Sequence, residues 1–246
     1  MNEEKYTEKL IIPSYLTDSN RVLSPASFLA LTQEMAYKGA EQLNIGDSTM
    51  STKGLAWVFS KARFITSRSP EISEHVILET WHKGIIGPCF IRDFRMLSNE
   101  GEELVKATCS CVLIDMNSRM LMRPDHVEEC DCLEPQCADS TFQDQADRII
   151  IPHSEPCIGS VEHEIMYTDI DFVGHTNNTN YLKWAMDCEA MNGGNLHPRD
   201  VTVNFLHETS AGEHITFRRV LSSGISFLVG EVCGRPVMTA RLAGCI

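Results

Sequence analysis

Residues Asp169–Trp184 read DIDFVGHTNNTNYLKW, and the fold follows from what stands on either side of them. Upstream, Glu162–Thr168 has the character of a short strand. Downstream, Tyr181–Met191 sets Tyr181, Ala185 and Cys188 on one helical face. Four further strand-like runs follow: Val201–Leu206, Ile215–Leu221, Phe227–Val232 and Val237–Leu242. The polar stretch is therefore a strand-to-helix junction, followed by one helix and four strands.

The same order stands earlier in the chain. From Pro25 to Leu43, Phe28, Leu31 and Met35 recur at helical spacing and Gly39 and Leu43 continue the face, with Ser24 as N-cap and Pro25 in the first turn. Strand-like runs then fall at Trp57–Ile65, Val76–Trp81, Phe90–Leu97 and Leu104–Asp115, broken by Ser69-Pro70, Gly87-Pro88 and Ser98-Asn99-Glu100-Gly101. In the last run Ala107, Cys109, Cys111 and Leu113 alternate with Lys106, Thr108 and Ser110, the pattern of a sheet with one buried face. Shifting one half by 153 positions lays Asp18 on Asp171, Val22 on His175, Phe28 on Tyr181 and Leu29 on Leu182. The chain reads as a duplication. One helix per four or five antiparallel strands is buried well only if a curved sheet wraps it, so the expected fold is α+β, two such units sharing one continuous sheet. The expected domains are 1–123 and 158–246, joined by an exposed linker at 124–157 where periodicity fades and Pro, Asp, Glu, Gln and Cys accumulate.

Composition limits the function. The 246 residues are 43% hydrophobic, enough for a large core without disulfide staples. No run of 18 apolar residues exists and Met1–Glu8 lacks a basic start and apolar centre, so the expectation is a cytoplasmic protein with reduced thiols. A net charge of -13 opposes phosphate backbones and anionic membrane surfaces, which argues against nucleic-acid and membrane partners. No G-x-S-x-G, H-E-x-x-H or G-x-x-x-x-G-K-[ST] pattern occurs. Cys130, Cys132 and Cys137 with His126 could ligate zinc, but C-x-C-x4-C is a weak signal and free thiols on a solvated linker are the simpler reading.

The junction itself is the densest polar cluster. Asn177 and Asn178 can cap the helix, whose unpaired N–H groups and positive dipole end would polarise a carbonyl, and Gly174 permits close backbone approach. His175 titrates near neutrality and Asp171, four residues earlier, could orient it. Capping alone would also explain the Asn and Asp residues, and a lone loop histidine is ordinarily just solvated. After Val201–Leu206, alternation puts His207 and Glu208 on opposite faces, so one of the two can enter a given site.

Asp169–Trp184 resembles the active-site segment D-x-D-x-N-x-H-x-N-N-x-x-Y of plant and bacterial acyl-acyl carrier protein thioesterases of the FatA/FatB type. Trp57–Pro70, Glu79–Trp81, Phe90–Phe94 and Lys106–Pro124 resemble the N-terminal stretches of that family, so the likeness covers nearly the whole chain. It implies a double hotdog fold and hydrolysis of a fatty acyl-acyl carrier protein thioester without metal or organic cofactor. It also implies Asp171, His175 and Glu208 as catalytic residues, with Gly174, Asn177 and Asn178 against the substrate. The first half, with Val22 in place of histidine, would hold the acyl chain. The family's catalytic Asn is replaced by Val173, whose contact is then expected from Asn177, Asn178 or a backbone carbonyl; the position often filled by Cys is Thr209. Docking of acidic acyl carrier protein would need a local basic patch, with Arg218, Arg219, Lys61, Arg63 and Arg68 as candidates. An acyl-CoA thioesterase, a hotdog hydratase and a non-catalytic acyl-binding protein are the competing readings, and a homodimer is left open.

Overall fold

The computed structural model describes residues 5–123, 126–131, 134–152 and 154–245. The chain divides into two compact units, one comprising residues up to Ala62 with Ser67–Ala146, the other Arg63–Thr66 with the chain from Asp147 onward.

The first unit contains β1 (Tyr6–Ile11), α1 (Pro25–Gln42), a helical turn α2 (Asp47–Met50), the greater part of β2 (Leu55–Thr66, whose last four residues group with the second unit), β3 (His75–Ile86), β4 (Cys89–Ser98) and β5 (Glu103–Asp115). The short β6 (Leu121–Met122) pairs with β5, and a second helical turn, α3 (Glu128–Asp131), follows. Helix α1 begins where the sequence says it should: the Ser24 hydroxyl accepts from Ser27 N–H, and Pro25 takes a position that needs no N–H. Phe28, Leu29 and Met35 are buried along its inner face, each contributing roughly 1.5–3 kcal/mol. At Gly39 the helix face is open enough to admit an arginine from β4: a Cβ there would lie 2.5 Å from a guanidinium nitrogen of Arg92. The strands run β1-β3-β4-β5-β2.

The second unit contains β7 (Cys157–Glu164), α4 (Asn178–Met191), β8 (Pro198–Phe205), β9 (His214–Ser222), β10 (Ile225–Val232) and β11 (Arg235–Cys245), in the order β7-β9-β10-β11-β8. This is the first unit's order element for element. The correspondence extends to single residues at the same spacing of 153: the 3-10 turns Ser14–Leu16 and Tyr167–Asp169, the N-caps Ser24 and Asn177, and the bridges Thr17↔Leu23 and Ile170↔Thr176. Each unit is thus a hotdog in build, one long helix against an antiparallel sheet.

Some elements differ from expectation. The first strand, β1, lies where no element is expected: in YTEKLI the residues Tyr6, Glu8 and Leu10 are partly covered while Thr7, Lys9 and Ile11 are exposed. Strand β7 starts at Cys157 and stops at Glu164, because residues 167–169 turn to enter the site loop. The segment 134–146 is anchored to the first unit instead of being a loose connector. The pairing of β3 with β1 ends at Thr80, and beyond it the main chain of His82 exchanges hydrogen bonds with Gln136: His82 N–H donates to Gln136 Oε1 (2.6 Å) and Gln136 N–H to His82 O (3.0 Å). The Trp81 indole donates to Asp139 O, and Thr141 N–H donates to the buried Asp93 carboxylate. Cys130 is fully buried, with its thiol pushed up to about 11 by that burial, and so is no solvated linker thiol; Cys132 lies outside the described residues. No group of three metal-capable side chains gathers among the described residues. No helix there is long and apolar enough to cross a membrane.

The expected basic patch is largely spent on internal pairs. Arg219 is buried on Glu189, Arg63 forks onto Asp200 and Arg68 onto Glu74. Arg218 stays half-exposed beside Glu231.

Candidate active site

The second unit brings its polar junction against the loop that follows β8. The junction is a closed turn: Asp171 N–H donates to His175 O (2.8 Å), Gly174 N–H to Asp171 O (3.0 Å), and Val173 N–H to Asp171 Oδ1 (2.9 Å). Gly174 has φ +88°, a left-handed conformation that side chains rarely adopt, and a Cβ there would meet nothing within 4 Å. The turn therefore closes tightly while its outer side stays open.

The Asp171 carboxylate serves the turn's own backbone, so it holds the loop that carries His175. The imidazole meets a different carboxylate. His175 Nε2 lies 3.3 Å from Glu208 Oε2, with the histidine side chain 21% and the glutamate 36% exposed. Strand β8 ends at Phe205, and both Leu206 and His207 N–H groups donate to Val237 O. That bulge-like double contact ends the alternation before Glu208, which is why strand phase could not tell which of His207 and Glu208 enters the site.

The asparagines divide their work. Asn177 caps α4, its Oδ1 accepting from Thr179 N–H (2.9 Å) and Thr179 Oγ1 (2.8 Å). Asn180 reaches back with its amide to Asp169 O and Oδ1 (3.2 and 3.3 Å), while Asp169 Oδ2 accepts from Met166 N–H. Asn178 is the first residue of α4, and an N–H in that position has no acceptor within its own helix. The helix start, with its partial positive charge, is thus oriented by its cap and set in the same loop as His175.

Behind the pair lies a cluster of hydroxyls that sequence reasoning missed. Thr176, next to His175, and Thr209, next to Glu208, are both buried, as is Tyr181 from the first turns of α4. Thr176 N–H donates to Thr209 O (3.1 Å), the two threonine hydroxyls are 2.7 Å apart, and Tyr181 Oη is 2.7 Å from Thr209 Oγ1. Burial raises the Tyr181 phenol above its usual range, partly offset by its Thr209 contact, so it remains a neutral donor. The sequence signal for this cluster was faint: a threonine directly follows both His175 and Glu208.

A hotdog unit with a histidine–carboxylate pair beside a capped helix start defines a class of thioester-handling proteins, and comparison with known proteins narrows it. Residues 3–129 match the acyl-ACP thioesterase N-terminal domain and residues 159–225 the acyl-ACP thioesterase C-terminal domain. The chain belongs to the acyl-ACP thioesterase family. It is 25% identical over 202 residues to oleoyl-acyl carrier protein thioesterase 1, chloroplastic, of Arabidopsis thaliana, covering 74% of this chain and 54% of that protein. Its companion, thioesterase 2, is 27% identical over 199 residues, covering 74% and 53%. The chain thus spans about half the length of the curated relatives it matches. Among solved structures, an acyl-ACP thioesterase from Bacteroides thetaiotaomicron superimposes with TM-score 0.85 at 17% identity, covering 97% of both chains. A 12:0-ACP thioesterase from Umbellularia californica gives 0.79 at 20%, covering 97% and 96%. Both likenesses establish the fold.

Proposed function

We propose that the protein hydrolyses the thioester of a fatty acyl-acyl carrier protein, releasing the free fatty acid, with the second unit carrying the chemistry. The observation that carries this reading is the His175–Glu208 pair, 3.3 Å apart, formed where the loop before α4 meets the loop after β8 in a chain of this family.

The thioester carbonyl lies at the N-terminus of α4, where the Asn178 N–H and the helix dipole stabilise the oxyanion that develops on attack. Asn177 fixes that helix start, and the open side of Gly174 lets the acyl carbonyl approach the backbone. Glu208 accepts a proton from water as the water oxygen bonds to the carbonyl carbon. His175, held by the turn that Asp171 closes, orients the water and relays the proton that Glu208 has taken across their 3.3 Å contact to the departing sulfur as the C–S bond breaks. A thiol with a pKa of about 8.5 leaves with little acid assistance, so the attack on the carbonyl sets the main demand on the site. The carrier is acyl carrier protein, the substrate its relatives are named for, and reduced thiols with an acidic surface fit the cytoplasm.

Free thiol release, measured with acyl carrier protein and with coenzyme A carrying several acyl lengths, tests the reaction and the carrier together. Glu208→Gln should lower kcat by about 100-fold or more, as loss of a general base does, and His175→Ala should lower kcat more than it changes KM. Turnover of Glu208→Gln within a few-fold of wild type would remove Glu208 from the mechanism. Equal kcat/KM on both carriers would favour an acyl-CoA thioesterase.

A further inference from the structure

We infer that Thr209, Thr176 and Tyr181 form a positioning device that sets the distance between His175 and Glu208. This rests on the reading of that pair as the hydrolytic machinery. The two residues come from separate loops, and neither belongs to a regular element. Each is followed directly by a buried threonine, Thr176 at 4% and Thr209 at 2% exposure. Those threonines are joined twice from Thr176 to the Thr209 carbonyl, by the N–H at 3.1 Å and by Oγ1 at 3.2 Å, and once between hydroxyls at 2.7 Å. Tyr181 then ties the joint to α4 through Thr209 Oγ1 at 2.7 Å.

One assignment of protons satisfies the whole cluster. Thr176 Oγ1–H donates to Thr209 O, Thr209 Oγ1–H donates to Thr176 Oγ1, and Tyr181 Oη–H donates to Thr209 Oγ1. Each hydroxyl proton is used once and Thr209 Oγ1 both gives and accepts. No hydrogen remains for the reaction, so the cluster acts through position alone. Because His175 and Glu208 are each one residue from this joint, a shift of the two loops past each other moves one side chain against the other. A misplacement of about 1 Å costs on the order of 100-fold in rate. The part of the cluster contributed by α4 also links the pair to the helix start that faces the carbonyl.

Three variants test this. Thr209→Val keeps the shape and removes the central hydroxyl, Tyr181→Phe keeps the buried ring and removes one donor, and Thr209→Ser restores the hydroxyl. On the acyl-acyl carrier protein that wild type hydrolyses fastest, Thr209→Val should lose about ten-fold or more in kcat with KM within about three-fold, and Thr209→Ser should recover most of it. Tyr181→Phe, the milder change, should fall between. A second readout does not depend on turnover. The imidazole 15N signals of His175 report its Glu208 contact and move in Glu208→Gln; Thr209→Val should move them in the same direction, and Thr209→Ser should leave them near wild type. A folded Thr209→Val with wild-type kcat and wild-type His175 signals would overturn the inference, as would a loss that Thr209→Ser does not repair. If Glu208→Gln and His175→Ala themselves stay active, the hydrolytic reading has failed; if they are inactive while Thr209→Val is not, only the positioning role has.

Discussion

Val173 puts a branched apolar side chain where the family carries the amide that holds histidine, water or substrate. The loop's own asparagines were expected to supply that contact, yet Asn177 Oδ1 is committed to the α4 cap and the Asn180 amide to Asp169. Two of the three amides near the site are therefore structural, which leaves only Asn178 or a backbone carbonyl to supply the family's contact. The backbone of Val173 is already fixed by Asp171, so a change of side chain leaves the turn intact. Its side chain is only half-buried, so an amide there is not stranded in an apolar core. Val173→Asn should accordingly raise kcat, by up to about ten-fold for a hydrogen bond worth roughly 1.5 kcal/mol to a charge that develops in the reaction. The check is steady-state thiol release beside a melting curve. A flat or reduced kcat at unchanged melting temperature would mean that Asn178 or a backbone carbonyl already fills the role.

At the scale of the element, α4 is fastened at both ends, and the far end makes a prediction of its own. Glu189 and Arg219 are both buried: Arg219 Nε and Nη2 donate to the two carboxylate oxygens at 2.6 and 3.1 Å, and Ser226 Oγ and Asn195 N–H complete the carboxylate's shell. Arg219 Nη1 also donates to Asn192 O, sealing the helix C-cap onto β9. Breaking such a pair leaves a buried charge uncompensated, so Arg219→Met should cost about 3–5 kcal/mol in urea unfolding, and Glu189→Gln added to it should return part of the loss. Turnover per folded molecule should hold, since the site is at the other end of the helix. A loss under about 1 kcal/mol for Arg219→Met would show that the pair carries little of the stability. This arginine also shows how far the sequence could be read. Its burial was legible, because Arg219 is in phase with the inward Ile215 and Phe217; treating it as a docking charge weighed residue type above strand phase. The two long helices and the eight longer strands that follow them within their units, β2–β5 and β8–β11, were legible for the same reason, since periodicity and caps are local. Strand β1 was less so, because its covered set, Tyr6, Glu8 and Leu10, includes a charge and its exposed set ends in Ile11, which leaves little hydrophobic contrast on a six-residue edge. In the site, His175 and the capping asparagines could be found from one contiguous motif. The Glu208 approach and the threonine joint could not, because both arise where two loops meet and neither obeys a helical or strand period.

For the molecule as a whole, the expected response to acid follows from one residue in the first unit's core. His82 is 2% exposed, its Nε2 has no hydrogen-bond partner among the described residues, and its strand register puts it opposite Arg92, which is itself buried. Burial, with the neighbouring guanidinium adding to it, pushes the imidazole down from 6.5 to about 4. The folded protein thus binds fewer protons at His82 than the unfolded chain over that interval. A group depressed in this way contributes stability that is complete above about pH 6.5 and is lost as the pH falls towards 4. The full difference converts to on the order of 3 kcal/mol, a large share of the roughly 5–15 kcal/mol by which folded domains are stable. The carboxylates lowered by their partners, Glu74 by Arg68 and Glu8 by Lys38 and Tyr6, lose their contribution only as the pH falls below their ordinary value of 4.5. Those carboxylates therefore add nothing to the slope between pH 6.5 and 4.5, and comparison with a variant lacking the ring isolates the histidine there. His82→Met, which fills a similar volume without a titrating group, should flatten the decline of the urea midpoint across that interval while leaving stability at pH 7.5 unchanged or higher. The sign is decided by burial of a neutral ring: a histidine stabilised as a cation would give the opposite slope, with stability lost as the pH rises. Parallel midpoint curves for wild type and His82→Met from pH 7.5 to 4.5 would show that the ring is not the proton-linked group. A decline on the alkaline side of pH 6.5 that His82→Met abolishes would contradict its burial as a neutral imidazole.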